Sequence, residues 1–348
     1  MIGLALSGGG VKGSYQIGAY LAFKKCHIKF KGITGTSIGA FNGAVLACGL
    51  EDELLNFWQT VDVGVLLGFD EKYLQKVKTN KKDLEYYLLK IDNIIDILKN
   101  QGVNIEGLER VLANFNLEEK LRKSKIEFGL STFRLKDTKP LNLFVKDIPY
   151  GSINNYIIAS CYLPIFKPEK LEDDSYFFDG GIHNYCPVNM LLDKGYKKVY
   201  AIDLKAPGVS QIVSDKSKVV YIKPSRKLSA MITLDKNAIK ENIKMGYYDT
   251  IRVLKKYDGK DYVFKRRSNL YYRYITSKIS DKTLAMAIGL LGDGSKKQLV
   301  IKTLEYLMIK DCKTYYDIYD VNKLIKEYKT SKEDSIALKF IKELLVAI

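Results

Sequence analysis

Two glycine-framed turns fall within the first 43 residues, Gly8-Gly9-Gly10-Val11-Lys12-Gly13 and Gly35-Thr36-Ser37-Ile38-Gly39, each between an apolar strand-like run and a helix-like run. No other feature limits the fold as much. A strand that turns on glycine into a helix, twice in succession, opens an α/β layer fold with a mainly parallel sheet, because the helix must cross the sheet before the next strand can lie beside the first. Residues 2–7 read as the first strand and 14–26 as a helix with apolar Ile17, Tyr20, Leu21 and Phe23. A short strand at 32–36 and a helix at 38–49 repeat the pattern.

The second turn has the form G-x-S-x-G, in which a serine sits on a sharp strand-to-helix turn and its small neighbours avoid a clash with the adjoining strand or helix. Ser37 is therefore a candidate nucleophile, with Gly35 and Gly39 as the flanking glycines. A serine hydroxyl is weak at its free pKa, so it needs a general base and donors for a developing oxyanion.

The chain holds two histidines, His27 and His183. His27 falls at the end of the first helix, where a cation suits the helix C-terminus better than it suits catalysis. His183 follows Asp179 by four residues, too close for triad partners that come from separate loops. A carboxylate can serve instead if it reaches the serine. Asp179 ends the aromatic run Tyr176-Phe177-Phe178, and Gly180 and Gly181 behind it allow close backbone approach. In isolation Asp179-Gly180 reads first as a hairpin turn; the elbow turns attention to its carboxylate.

Gly8-Gly9-Gly10, lying after a strand and before a helix, offers backbone amides where anions are stabilised, and Lys12 adds a nearby cation. Gly8-x-Gly10-x-x-Gly13 also matches the dinucleotide fingerprint, but residues 27–50 contain no aspartate or glutamate for a ribose hydroxyl. A phosphate loop fails too, because Ser14 stands where lysine is required.

Residues 51–124 are charged and helix-like, with helical stretches at 53–58, 83–89, 94–99 and 106–114, and suggest a helical insertion or cap. A strand pair is expected at 126–133 and 141–145, a helix at 153–162, strands at 198–204 and 218–222, and a helix at 236–256. The sheet domain is expected to end near Tyr257. Residues 258–348 form a basic, tyrosine-rich extension with helices at 297–309, 321–328 and 335–346.

The three glycine and aspartate blocks, in this order, resemble the signature blocks of the patatin-like phospholipases. Residues 159–168 before Asp179, 181–188 after it and the Gly246-Tyr247 pair in the late helix add to the resemblance, which covers about residues 1–257. It implies a three-layer α/β/α fold and a Ser-Asp dyad, with Ser37 as nucleophile, Asp179 as base, and Gly8, Gly9, Gly10, Lys12 and Gly13 around the oxyanion hole. Lys12 stands where the family often has arginine, which alters how the glycine loop is held. The implied chemistry is phospholipase A-type cleavage of acyl esters through an acyl-serine, without metal or cofactor; an esterase or thioesterase acting on soluble acyl substrates is the neighbouring alternative.

With 56 lysines and arginines against 40 acidic residues, the chain carries a formal charge of +16. This predicts attraction to polyanions. A second class of reading follows: a non-catalytic basic module whose residues 257–274 alternate Lys260, Lys265, Arg266, Arg267 and Arg273 with Tyr262, Phe264, Tyr271, Tyr272 and Tyr274, able to lie on anionic lipid or stack on bases. A lipid-directed site favours peripheral contact with an anionic membrane over nucleic acid; oligomeric state is not legible. Five widely spaced cysteines without a C-x-x-C pair, no secretory signal and no apolar run of about 20 residues together predict a cytoplasmic protein.

Overall fold

The computed structural model describes residues 1–66 and 105–346. The helices expected at 83–89 and 94–99 lie outside the described residues. The chain forms two compact units, Met1–Tyr247 and Tyr248–Ile348. The division falls inside helix Lys236–Lys255 rather than after Tyr257.

In the first unit, β1 (Ile2–Leu6) lies between β2 (Gly32–Thr36) and β6 (Lys198–Ile202). β3 (Glu127–Arg134) flanks β2, and β7 (Val219–Ile222) flanks β6, all parallel. Two further strands, β4 (Lys139–Phe144) and β5 (Phe177–Asp179), run antiparallel to β3. The chain therefore leaves β1 in one direction for β2 and β3, and later returns to its other side for β6 and β7. A crevice outside the carboxyl ends of the strands at such a reversal is where open α/β sheets hold ligands.

Strand alternation explains how the sheet is covered on both faces. On one face, α2 (Ile38–Ala47) approaches so closely that a Cβ on Gly43 would lie 3.1 Å from Ile33, 3.2 Å from Phe128 and 3.5 Å from Leu6. The opposite face presents Gly3, Ala5, Gly32 and Thr34. Small side chains there let Leu191, from the helix Val188–Leu192, pack directly on the strands, and Thr34 Oγ1 donates to the Pro187 carbonyl at 2.9 Å. This is the expected three-layer arrangement. α1 (Ser14–Lys25) follows the first glycine turn, and α3 (Glu51–Thr60) follows α2. Helix α4 (Glu106–Phe115) brings Phe115 against Phe41, with ring centroids 5.7 Å apart.

The second unit is mostly helical, as expected. Asn269–Ile275, Asp281–Leu291, Lys296–Lys310, Val321–Lys329 and Ile336–Glu343 surround a core that includes Leu304, Met308, Ile325 and Phe340. The first two of these helices were not legible in the sequence. In the first, consecutive tyrosines and an arginine obscure the period, and the helix is defined instead by the Ser268 cap and by burial of Tyr272 and Ile275. Tyr262, Phe264 and Tyr272 all lie in this core. Their rings are committed to packing, so the alternating basic and aromatic stretch has lost three of its five aromatics as a stacking platform.

Candidate active site

Ser37 follows β2 directly and has φ 56° and ψ −131°, a left-handed backbone that a residue with a Cβ adopts only when its surroundings enforce it. The flanking glycines show how. A Cβ on Gly35 would collide with the Gly39 carbonyl, and one on Gly39 would collide with the Leu6 carbonyl and lie 2.7 Å from that of Ser7. The Ser37 amide donates to Ser160 Oγ at 2.9 Å, and Ser160 Oγ donates to the Ser131 carbonyl at 2.6 Å. Ser160 ends the helix Ile153–Ser160 and so braces the elbow from a third element.

Asp179 reaches Ser37 because of strand register. β3 has two edges, and β4 pairs with its residues 129–134 along one of them. β2 takes residues 127–131 on the other edge and stops with Thr36 opposite Ser131. β5 continues on that edge from the opposite direction, with Asp179 opposite Thr132. The two strands thus meet end to end. Gly180 is required at the junction, since a Cβ there would strike the Ser131 carbonyl. Asp179-Gly180 is accordingly no hairpin turn: Gly180–Ile182 form a single 3-10 turn capped by the Asp179 carboxylate, which accepts the Gly181 amide at 2.7 Å.

Ser37 thus sits beside the Asp179 side chain and is one of the groups that act on its carboxyl. Both residues are 7% exposed. Burial pushes the Asp179 carboxyl up to about 6, opposed by the polar Ser37 side chain and by the Gly181 amide. The serine therefore faces a carboxylate that is ionised at neutral pH and is a better proton acceptor than an exposed aspartate.

The first glycine turn lies against this pair, since a Cβ on Gly8 would stand 3.3 Å from Ser37 Cβ. The amides of this turn, expected to be free as donors, differ in what they bond. The Gly8 amide donates to the Tyr185 carbonyl at 3.1 Å, and the Lys12 amide to the Gly9 carbonyl at 3.2 Å. Gly13 serves close packing instead: a Cβ there would lie 2.6 Å from Ile38 Cγ1. The amides of Gly9 and Gly10 have no acceptor among the described residues. At Gly10 φ is +56° and a Cβ would collide with the Met231 carbonyl, so only glycine fits.

Behind both turns runs a buried polar chain that the sequence reading missed. Trp58 Nε1 donates to Asn42 Oδ1 at 3.0 Å, Asn42 Nδ2 donates to Gln16 Oε1 at 2.8 Å, and Gln16 Nε2 donates to the Ser7 carbonyl at 2.8 Å. It links α3, α2 and α1 to the end of β1. A glutamine, an asparagine and a tryptophan on otherwise apolar helix faces were the available signal.

Neither histidine joins the site's hydrogen bonds. His27 follows α1 with φ 57°, and the His183 ring pairs with Gln211 at 2.8 Å. All five cysteines are free.

The chain matches the family model of the patatin-like phospholipases over residues 4–192, more than half its length, and belongs to that family. It is 25% identical over 206 residues to lysophospholipase nte1 of Aspergillus terreus, a match covering 58% of this chain and 12% of that protein. The corresponding protein of Neurospora crassa is 24% identical over 211 residues, with the same coverage. Among solved structures, VipD from Legionella pneumophila aligns with 97% of this chain and 83% of its own at 15% identity and a TM-score of 0.48. The type III effector ExoU aligns with 97% of this chain and 70% of its own at 14% identity and a TM-score of 0.40.

Proposed function

We propose that this member of the patatin-like phospholipase family is a lipid acyl hydrolase of phospholipase A type, with Ser37 as nucleophile and Asp179 as general base. The observation that carries the reading is the end-to-end meeting of β2 and β5 on one edge of β3, which brings Ser37, on a strained elbow, beside the buried Asp179. Family membership and the lysophospholipase relatives support the substrate class.

Asp179 takes the hydroxyl proton as Ser37 Oγ attacks the ester carbonyl carbon. The negative charge that develops on the carbonyl oxygen is met by the amides of Gly9 and Gly10, preorganised and without another acceptor. Protonated Asp179 then gives its proton to the departing alkoxide, leaving an acyl-serine. Water, deprotonated by the same carboxylate, attacks the acyl carbon, and Ser37 recovers its proton as the fatty acid leaves. No step requires a metal or cofactor. The basic surface favours contact with anionic lipid during this cycle.

Mass spectrometry of mixed phospholipid vesicles incubated with wild type and with Ser37→Ala tests chemistry and selectivity together. Release of free fatty acid and lysophospholipid by wild type alone is expected. Equal release by Ser37→Ala would exclude the serine mechanism, whereas hydrolysis confined to monomeric short-chain esters would assign the chain to soluble acyl substrates instead.

A further inference from the structure

The loop that follows β6 carries apolar side chains into solvent beside the Asp179 turn. Val209 is 55% exposed and Ile212 89% exposed, and Ile182, three residues beyond Asp179, is 47% exposed. Single exposed apolar residues are ordinary, but Val209 is held beside Ile182, and Ile212 follows it on the same loop. The Val209 amide donates to the Gly181 carbonyl and the Val209 carbonyl accepts the Tyr185 amide, both at 2.8 Å. Asn189 fixes the far end, its Nδ2 donating to the Ile212 carbonyl at 2.8 Å.

The same loop is built onto the glycine turn. The Leu204 amide donates to Ser7 Oγ at 3.0 Å, and a Cβ on Gly9 would lie 2.9 Å from Leu204 Cδ1. Val209 is therefore tied by backbone to the segment that follows Asp179, and the start of its loop packs on the glycine turn.

Charge surrounds them. Residues 203–227 contain Lys205, Lys216, Lys218, Lys223, Arg226 and Lys227 against only Asp203 and Asp215. Both carboxylates are paired, Asp203 with Lys223 at 3.1 Å and Asp215 with Lys218 at 2.9 Å. Lys205, Lys216 and Lys227 are exposed and form no ion pair among the described residues. Apolar tips with lysines around them suit an anionic lipid surface, where the tips enter the acyl boundary and the ammonium groups stay at the headgroups.

We propose that Ile182, Val209 and Ile212, framed by the lysines of 205–227, form the surface by which the first unit rests on an anionic phospholipid membrane. An acyl ester then enters beside Ser37 without crossing water. The inference rests on the hydrolase reading but is tested by binding rather than by turnover.

The full chain carrying Ser37→Ala, so that lipid is not consumed, is sedimented with vesicles of phosphatidylcholine and phosphatidylglycerol in equal parts and with phosphatidylcholine alone. Adding Val209→Asp and Ile212→Asp is expected to lower partition onto the anionic vesicles by about tenfold or more. Lys205→Glu with Lys216→Glu lowers it too and flattens its salt dependence. A milder Ile212→Ser, at a site already mostly in water, shows a smaller loss in the same direction, and unchanged thermal unfolding confirms that the fold is intact. Partition of the aspartate variant within about twofold of its parent overturns the proposal. So does equal partition onto phosphatidylcholine alone, or loss of binding only when Leu270→Asp and Tyr274→Asp are made in the second unit. Wild-type failure to cleave any ester, with vesicle binding retained, would instead defeat the hydrolase reading.

Discussion

Ser37 and Asp179 stand at the ends of two strands that share one edge of a third: Thr36 pairs with Ser131, Asp179 pairs with Thr132, and the serine is thereby set beside the carboxylate. A distance of 142 residues along the chain is closed by one step of sheet register. Anything that shifts β5 on β3 by a residue would turn Asp179 to the other face of the sheet and break the pair.

Because burial raises the Asp179 carboxyl to about 6, ester hydrolysis is expected to rise with pH through about 6 and level off above it. The base must be ionised to take the serine proton. Asp179→Asn removes the activity at every pH. A rate–pH curve already flat at pH 5 would count against Asp179 as the base.

The same shift has a stability consequence of opposite sense. The folded state holds the Asp179 proton more tightly than the unfolded chain, whose carboxyl titrates near 3.8, so stability from this group is present at low pH and is lost as pH rises through about 6. The difference amounts to about 3 kcal/mol at about 1.4 kcal/mol per pH unit. Asp179→Asn is therefore expected to unfold at higher temperature than wild type at pH 8, with the gap closing toward pH 4. Thermal melts of both proteins across that range measure it, and identical midpoints at pH 8 would show that the buried charge carries no such cost.

Ser160→Ala strips the Ser37 amide of its acceptor in a buried site. An unsatisfied buried donor costs about 1–3 kcal/mol, and the elbow loses one of its braces. The expected result is a lower melting temperature and a kcat reduced more than KM is raised; Ser160→Thr, which keeps the hydroxyl, restores much of both. Steady-state kinetics on a soluble ester separate these outcomes from simple misfolding.

Gly39→Ala places a methyl against the Leu6 and Ser7 carbonyls. Backbone cannot yield as a side-chain tip can, so a loss of about 3 kcal/mol or more is expected. Chemical denaturation reads it directly.

Trp58 is the chain's one tryptophan, and its indole nitrogen bonds Asn42. Asn42→Ala leaves Trp58 Nε1 and Gln16 Oε1 without this partner and frees the Gly13 carbonyl. A shift in the emission of Trp58 should accompany a destabilisation of about 1–3 kcal/mol. Unchanged emission would mean that the chain of polar contacts behind the turns is not rigid.

How much of this was legible beforehand depended on the range of the interactions. Gly35, Ser37 and Gly39 could be read as an elbow because a tight turn imposes its demands on residues two apart. The helices at 236–255 and 296–310 were legible for the same reason, their apolar period being local. The Asp179-Gly180 pair was ambiguous, because the same dipeptide closes a hairpin or opens a capped turn depending on which strand lies beside it. The engagement of the Gly8 amide by Tyr185, the brace from Ser160 and the exposed rim at 209–212 left no local signature.

The sequence by itself determined the two glycine turns, the elbow serine and most of the strands and helices, since each follows from backbone sterics and periodicity within a few residues. Only the tertiary structure decided that Ser37 and Asp179 meet, that Gly9 and Gly10 rather than Gly8 keep open amides, and that burial raises the carboxyl. Those properties arise from sheet register and desolvation, which are set by residues far outside any local window of sequence.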